Sequence, residues 1–335
     1  MHAHGDHFKK PVSKILSLVL VLFGIIIFNV SLPHSKVTQI QETPESIQVL
    51  TNTNQEIKID PTDPILDSIS VGSTIETQDL GDNQFTISDI YRLPGIKLSL
   101  LLFVLACLVI TKGQAVGSLV SIIISILIIF NFTLPFILQG YNPILICLAS
   151  CIALVPCSFY LSHGFNKKAH LATISSLITL AVAGLLTIVF SKFTSLTGLS
   201  SEEARFLMLG ETSNLNFKGI LFGGIMISLI GILDDITITQ TSIVKKLKNN
   251  KVKNTFSQAM HIGQDHIASL INTIFLIYAG AVLPTLLLFA ANPQSLAGLL
   301  NFEPLAEEIV RSIIGSLSLI LAVPISTWFA DKNYK

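Results

Sequence analysis

Long apolar runs constrain this chain more than any other feature. From Gly95 onward they cover approximately residues 95–111, 115–138, 142–162, 171–191, 219–242, 266–290 and 308–330. Each approaches the ~20 residues that a helix needs to span a hydrocarbon core roughly 30 Å thick. Only helices and closed barrels satisfy their own backbone in lipid, and these runs are too continuous for barrel strands. A further run, Lys14 to Val30, follows Phe8-Lys9-Lys10 and is trailed by no small-residue cleavage site, so it reads as a retained anchor. The expectation is an all-α polytopic membrane protein with about eight transmembrane helices. Charge agrees. Only 13% of the residues are charged, against roughly a quarter in a soluble protein whose surface faces water. A net charge of +0 provides no basic field that would draw nucleic acid. Cys107, Cys147, Cys151 and Cys157 all fall inside apolar runs and read as small packing residues.

Residues 33–93 differ in kind. They are polar and show short β-type alternation at Ile47–Leu50, Gln55–Ile59, Ser73–Thr77 and Gln84–Ile87, with a turn at Leu80-Gly81-Asp82-Asn83. The Pro-rich Asp60–Pro64 is a surface loop. Such a segment suits a small β-barrel-like domain. The expected division is therefore 1–32 (tail and first transmembrane helix), 33–93 (extracytoplasmic β-domain) and 94–335 (seven-helix transmembrane domain).

Lysine and arginine set the orientation. Lys167-Lys168 and the segment bearing Lys245, Lys246, Lys248, Lys251 and Lys253 both fall on one side, together with Lys9, Lys10, Lys112 and Lys332. Basic loops stay inside, so both termini are expected in the cytoplasm of a multi-pass plasma-membrane protein. On the outer side, Ser200 and Glu203 fit a capping box, so a short interfacial helix or gate element is expected to begin there.

The chemistry-bearing stretch is Gly231-Ile232-Leu233-Asp234-Asp235-Ile236-Thr237-Ile238-Thr239-Gln240. An acid at mid-bilayer costs roughly 2.5–3.5 kcal/mol, so both carboxylates must face protein or a wet cavity. At about 100° per residue, Gly224, Ser228, Gly231, Asp235 and Thr239 share one face, and Asp234 and Thr237 a second. The first face has the small residues of a close helix–helix contact. The next helix offers His261, Asp265, Ala268 and Asn272 on one face and His266, Ser269 and Thr273 on another. Asp234 and Asp235 are the candidate cation or proton ligands, with Asp265 and His266 as a coupled acid or base. Thr237, Thr239, Gln240 and Asn272 would be neutral ligands. His261 and Asp265, four residues apart, are also candidate metal ligands for a membrane metalloenzyme. A purely structural polar network is the third alternative. The terminal His2, His4 and His7 read as a solvated tail.

Several segments resemble the YibE/F-like bacterial membrane proteins. They are Tyr91–Gly95, Gln139–Pro143, His163–Lys168, Leu199–Arg205, Gly231–Gln240 and Gly263–Ala268. With its extra β-segment the chain looks like the longer, YibE-type member. The resemblance implies a transporter-like architecture without naming a substrate. The function expected is an ion- or proton-coupled transporter or permease subunit, with a membrane scaffold recruiting through its outer domain as the alternative. Expected partners are the lipid bilayer and a second YibE/F-like subunit or another copy of the chain, with no nucleic acid. No P-loop is present and no cofactor is expected.

Overall fold

The computed structural model describes residues 20–334 apart from 22–23, 26, 43–46, 54, 82–83, 112, 211–213 and 293–294. The histidine-bearing tail and most of the first apolar run lie outside the described residues. The chain forms two compact units that divide between Ala115 and Val116.

The first unit holds an antiparallel sheet of β1 (His34–Glu42), β2 (Ile47–Thr51), β3 (Glu56–Ile59), β4 (Thr74–Gly81) and β5 (Gln84–Ile90). The strands lie in the order β3-β2-β1-β4-β5. Alternation buries one face of the sheet: Val37, Val49, Ile57, Ile59 and Ile75 form its core together with Ile69. Asp63 caps a 3-10 turn at Pro64–Ser68 by accepting from the Ile65 N–H. The central strand, β1, is not among the expected strands. A register shift between Val37 and Gln39 interrupts its alternation, which hides it from a period-two reading. The unit continues into α1 (Leu93–Thr111), a largely apolar helix whose one charged residue, Lys97, donates to the Phe28 and Val30 carbonyls.

The second unit is helical. Its long members are α2 (Val116–Leu138), α3 (Pro143–His163), α4 (Lys167–Phe193), α6 (Phe217–Asn249), α7 (Thr255–Ala281) and α10 (Glu303–Asn333). Shorter pieces are α5 (Glu202–Leu209), α8 (Leu283–Ala291) and α9 (Leu296–Asn301). Six helices among the described residues are long and apolar enough to cross a membrane, or up to seven if the bent α7–α8 pair counts as one span. That pair corrects the expected single run at 266–290. α7 begins at Thr255, and the chain bends by 63° between Ala281 and Leu283. Pro284 opens α8, where its missing N–H costs nothing, so hydropathy passes smoothly through a break in direction.

Asparagines start three of the long helices. Asn142, Asn166 and Asn216 accept from the backbone N–H groups of Ile144, Ala169 and Gly219, which satisfies donors that a first turn leaves free. α6 and α10 form the centre of the bundle; α3 and α4 pack on one side of α6, and α7 packs chiefly on α10. The core includes Phe159, Ile225, Met226, Leu229, Leu233, Ile314 and Leu319. Two glycines mark the closest approaches: a Cβ on Gly117 of α2 would stand 2.2 Å from the Leu161 carbonyl oxygen, and one on Gly223 of α6 2.2 Å from Cys147 Sγ. No side chain larger than hydrogen fits there.

α5 starts one residue later than the expected capping box. Ser201 accepts from the Ala204 N–H as its cap, while Ser200 turns away to donate to Glu307 of α10.

Candidate functional site

The adjacent acids of α6 diverge, as a 100° offset requires. Asp234 points at α3: Ser158 Oγ donates to its Oδ2 at 2.8 Å, and His163 Nε2 lies 3.6 Å from its Oδ1, an ion-pair distance when the ring is protonated. Asp235 points the other way and is exposed within the chain.

The neutral candidates also part company. Thr237 is fully buried, donates to the Leu233 carbonyl at 2.7 Å and meets Ser176 Oγ of α4 at 3.2 Å. Gln240 is 1% exposed and ties three helices: its Nε2 donates to the Ala259 carbonyl of α7 and to Thr327 Oγ1 of α10, both at 2.7 Å. Both residues are packed as struts. Thr239 is half-buried one turn beyond Asp235. On α7, His261, Asp265 and Asn272 are exposed and His266 is half-buried. Among the described residues, no three His, Cys, Asp or Glu side chains gather as a metal group would need.

The structure gathers a smaller set of residues. Between α6 and α7 runs a crevice of about 350 Å³, its apolar walls built from Ile232, Leu270, Ile274 and Ile277. Ser228, Gly231 and Asp235 line it from α6, and Thr273 and Tyr278 from α7. Asp235 is the single carboxylate in this lining. The small-residue face thus differs from its expected role in a tight contact: a Cβ on Gly224 or Gly231 would meet nothing within 4 Å. The close contact of α7 is made elsewhere, through Gly263, where a Cβ would stand 2.6 Å from Val323 Cγ1 and 2.9 Å from Gln240 Oε1.

Residues 99–335 match the family model described as YibE/F-like protein. The chain belongs to the YibE/F-like family. No curated protein and no solved structure matches it. The matched segment contains α6, α7 and α10, so the crevice lies wholly in the part that this YibE/F-like chain shares with its family; the five-stranded sheet lies outside it.

Sequence reasoning missed one charged group of this YibE/F-like protein. On α10, Arg311 Nη2 bonds Glu307 Oε1 and Nη1 bonds Glu308 Oε1, each at 2.7 Å. Ser200 donates to Glu307 Oε2. The Arg311 guanidinium also lies 5.7 Å from the centroid of the Tyr278 ring, and Tyr278 OH donates to Ser228 Oγ at a long 3.5 Å. The signal was legible: Glu307-Glu308-Ile309-Val310-Arg311 puts two acids three and four residues before an arginine at the head of an apolar run.

Proposed function

We infer that this YibE/F-like protein is an ion- or proton-coupled membrane transporter or permease subunit whose site is the α6/α7 crevice. The observation that carries the reading is the lone carboxylate of Asp235 in a crevice between two long, largely apolar helices. A carboxylate in a membrane is expensive unless a cation, a proton or water meets it, and such residues mark ion pathways. In this role Asp235 is the cation or proton ligand, Ser228 and Thr273 are neutral ligands, and Asp234 holds α6 against α3. The seven helical segments after Gly95 span the plasma membrane with the first apolar run as an eighth. The sheet closes toward a barrel on the outer side, and both termini face the cytoplasm. The lysines at the α4 start and the α6 end support that orientation.

A partner belongs to the same reading. The exposed face of α6 and α7 presents Gly224, Gly231, Asp235, Asp265 and Asn272. Lipid is a poor neighbour for these groups, and small residues favour close packing between helices. A second copy of the chain or a second YibE/F-like subunit covers this face.

The test uses purified protein in vesicles, with imposed inward gradients of H⁺, Na⁺, K⁺ and Mg²⁺ in turn. Gradient-driven flux should appear for at least one cation and fall at least tenfold in Asp235→Asn. Vesicles that move none of them would end the transport reading. A cysteine at Lys248 that labels from outside intact cells would reverse the orientation.

A further inference from the structure

We propose that Lys168, Lys245 and Lys246, gathered where α4 begins and α6 ends, bind the phosphate of an anionic phospholipid in the cytoplasmic leaflet. This lipid site rests on the orientation inferred above, not on transport.

Residues 163–170 and 242–264 hold seven lysines and not one aspartate or glutamate, although the 21 basic and 21 acidic residues of the whole chain balance. Counter-charges must come from other elements or from outside the chain. Some do come from within. Asp331 of α10 meets Lys248 at 2.9 Å, and Lys167 donates to the Asn333 carbonyl and lies over the Tyr334 ring. Lys168, Lys245 and Lys246 have no ion pair among the described residues. The nearest acids on α6, Asp234 and Asp235, lie about 15 Å further along the helix axis from Lys245.

Helix packing brings the three lysines together. A Cβ on Gly184 of α4 would stand 3.4 Å from Met226 Cε of α6, and Ser176 Oγ lies 3.2 Å from Thr237 Oγ1. Going back along α4 therefore means going forward along α6, so the two helices are antiparallel. Eight residues past the Ser176–Thr237 contact, the same register sets Lys168 level with Lys245. Lys168 is half-buried there and feels the charges of both Lys245 and Lys246. Like charges so placed repel, and an anion seated among them offsets the repulsion.

Two features favour a phospholipid over a soluble anion. The ammonium groups stand at the inner ends of long apolar helices, the level of lipid phosphates, and flexible lysine stems carry their charge to that depth. Phe165, in the loop just ahead of α4, is 83% exposed and stacked on Tyr160 with ring centroids 4.7 Å apart. Aromatic rings at a helix end settle among headgroups. Charge then chooses the headgroup. Phosphatidylcholine brings its own ammonium, which the lysines repel, whereas phosphatidylglycerol offers an uncompensated phosphate.

Delipidated full-length protein in detergent, titrated with dioleoylphosphatidylglycerol or dioleoylphosphatidylcholine and read by native mass spectrometry, tests the site. The wild type should bind phosphatidylglycerol at least tenfold more tightly. Lys168→Gln/Lys245→Gln/Lys246→Gln should erase that preference with an unchanged melting temperature in lipid-free detergent. Lys168→Gln alone should weaken it several-fold, and carries the test if the triple variant does not fold. Lys251→Gln/Lys253→Gln/Lys332→Gln removes the same charge from the same end of the protein and should keep the preference. Equal losses in the two triple variants reduce the site to diffuse surface charge and overturn it, as does a wild type without headgroup preference. Glycerol 3-phosphate that displaces phosphatidylglycerol at millimolar concentration makes the ligand a soluble phosphate and overturns the lipid assignment. Vesicles that move no cation, beside an intact headgroup preference, end the transport reading and leave the lipid site standing. External labelling of a cysteine at Lys248 overturns its placement in the cytoplasmic leaflet.

Discussion

Gly263→Ala and Gly231→Ala make a matched pair, since both change a glycine inside a long helix by one methyl group. At Gly263 the new Cβ would stand 2.6 Å from Val323 Cγ1, 2.9 Å from Gln240 Oε1 and 3.1 Å from Gln240 Nε2. Carbon atoms rest about 3.5–4.0 Å apart, so Val323 or α7 must retreat by roughly 1 Å. Val323 is 0% exposed, and the Gln240 amide is pinned by Ala259 and Thr327, so neither neighbour has free space behind it. Overpacking of this kind costs about 1–3 kcal/mol, and helix propensity returns up to ~1 kcal/mol for replacing glycine with alanine. The net expectation is a loss of up to about 2 kcal/mol. At Gly231 nothing lies within 4 Å, so only the propensity gain remains. Thermal unfolding of the purified variants in one detergent measures the difference. At roughly 2–4 °C per kcal/mol, Gly263→Ala should melt several degrees below Gly231→Ala. Equal melting temperatures, or a lower one for Gly231→Ala, would refute both the packing of α7 through Gly263 and the openness of the α6 face.

The two acids should separate in the same assay. Asp234→Ala removes the acceptor for Ser158 and the partner of His163, so it should lose about 1–3 kcal/mol, whereas Asp235→Asn should leave the melting temperature near the wild type. Asp89 should titrate below the ordinary value of 3.8, because the Arg92 guanidinium bonds its carboxylate and the Ile90 N–H adds a second bond. A depressed carboxylate stabilises the fold above its ordinary pKa and loses that contribution as pH falls through the folded value. Carbon-detected NMR should show the midpoint moving up in Arg92→Ala; an unmoved midpoint removes the pairing.

The long apolar helices were legible because length and hydropathy are properties of a single segment. Direction is not, which is why the bend ahead of Pro284 escaped notice inside a continuous apolar run. Polar residues also disguised helix: Thr255–Gln264 belongs to α7 because Ala259 and Gly263 seat it against its neighbours, not because of its hydropathy. In the sheet, β2 and β3 follow alternation, β4 and β5 were legible from the turn between them although their pairing carries two register shifts, and β1 has its own shift and no such turn to mark it. The faces of α6 were legible as faces, yet their partners were not. Small residues permit close approach without saying who approaches. Gly223 and Gly263 carry the tight contacts, whereas Gly224 and Gly231, read as the contact face, are open. Gln240 had the chemistry of a ligand, and only its geometry made it a strut.

The pairing of Asp234 with Asp235 gains meaning from this division of faces. A helix that must bury one carboxylate for structure needs only a donor on its neighbour, and Ser158 of α3 supplies it. Asp234 therefore meets part of the cost of its burial inside the fold, through Oδ2, while its Oδ1 is buried without a hydrogen bond and faces His163 at 3.6 Å. Asp235, one residue on, finds no such donor among the described residues and faces a crevice instead. Its cost must be met from outside the fold, by water, by a proton or cation, or by a partner helix, and a group so placed changes its energy whenever that occupant changes. On the transport reading proposed above, coupling requires that property, and it falls to Asp235 because Asp234 is held to α3 by Ser158.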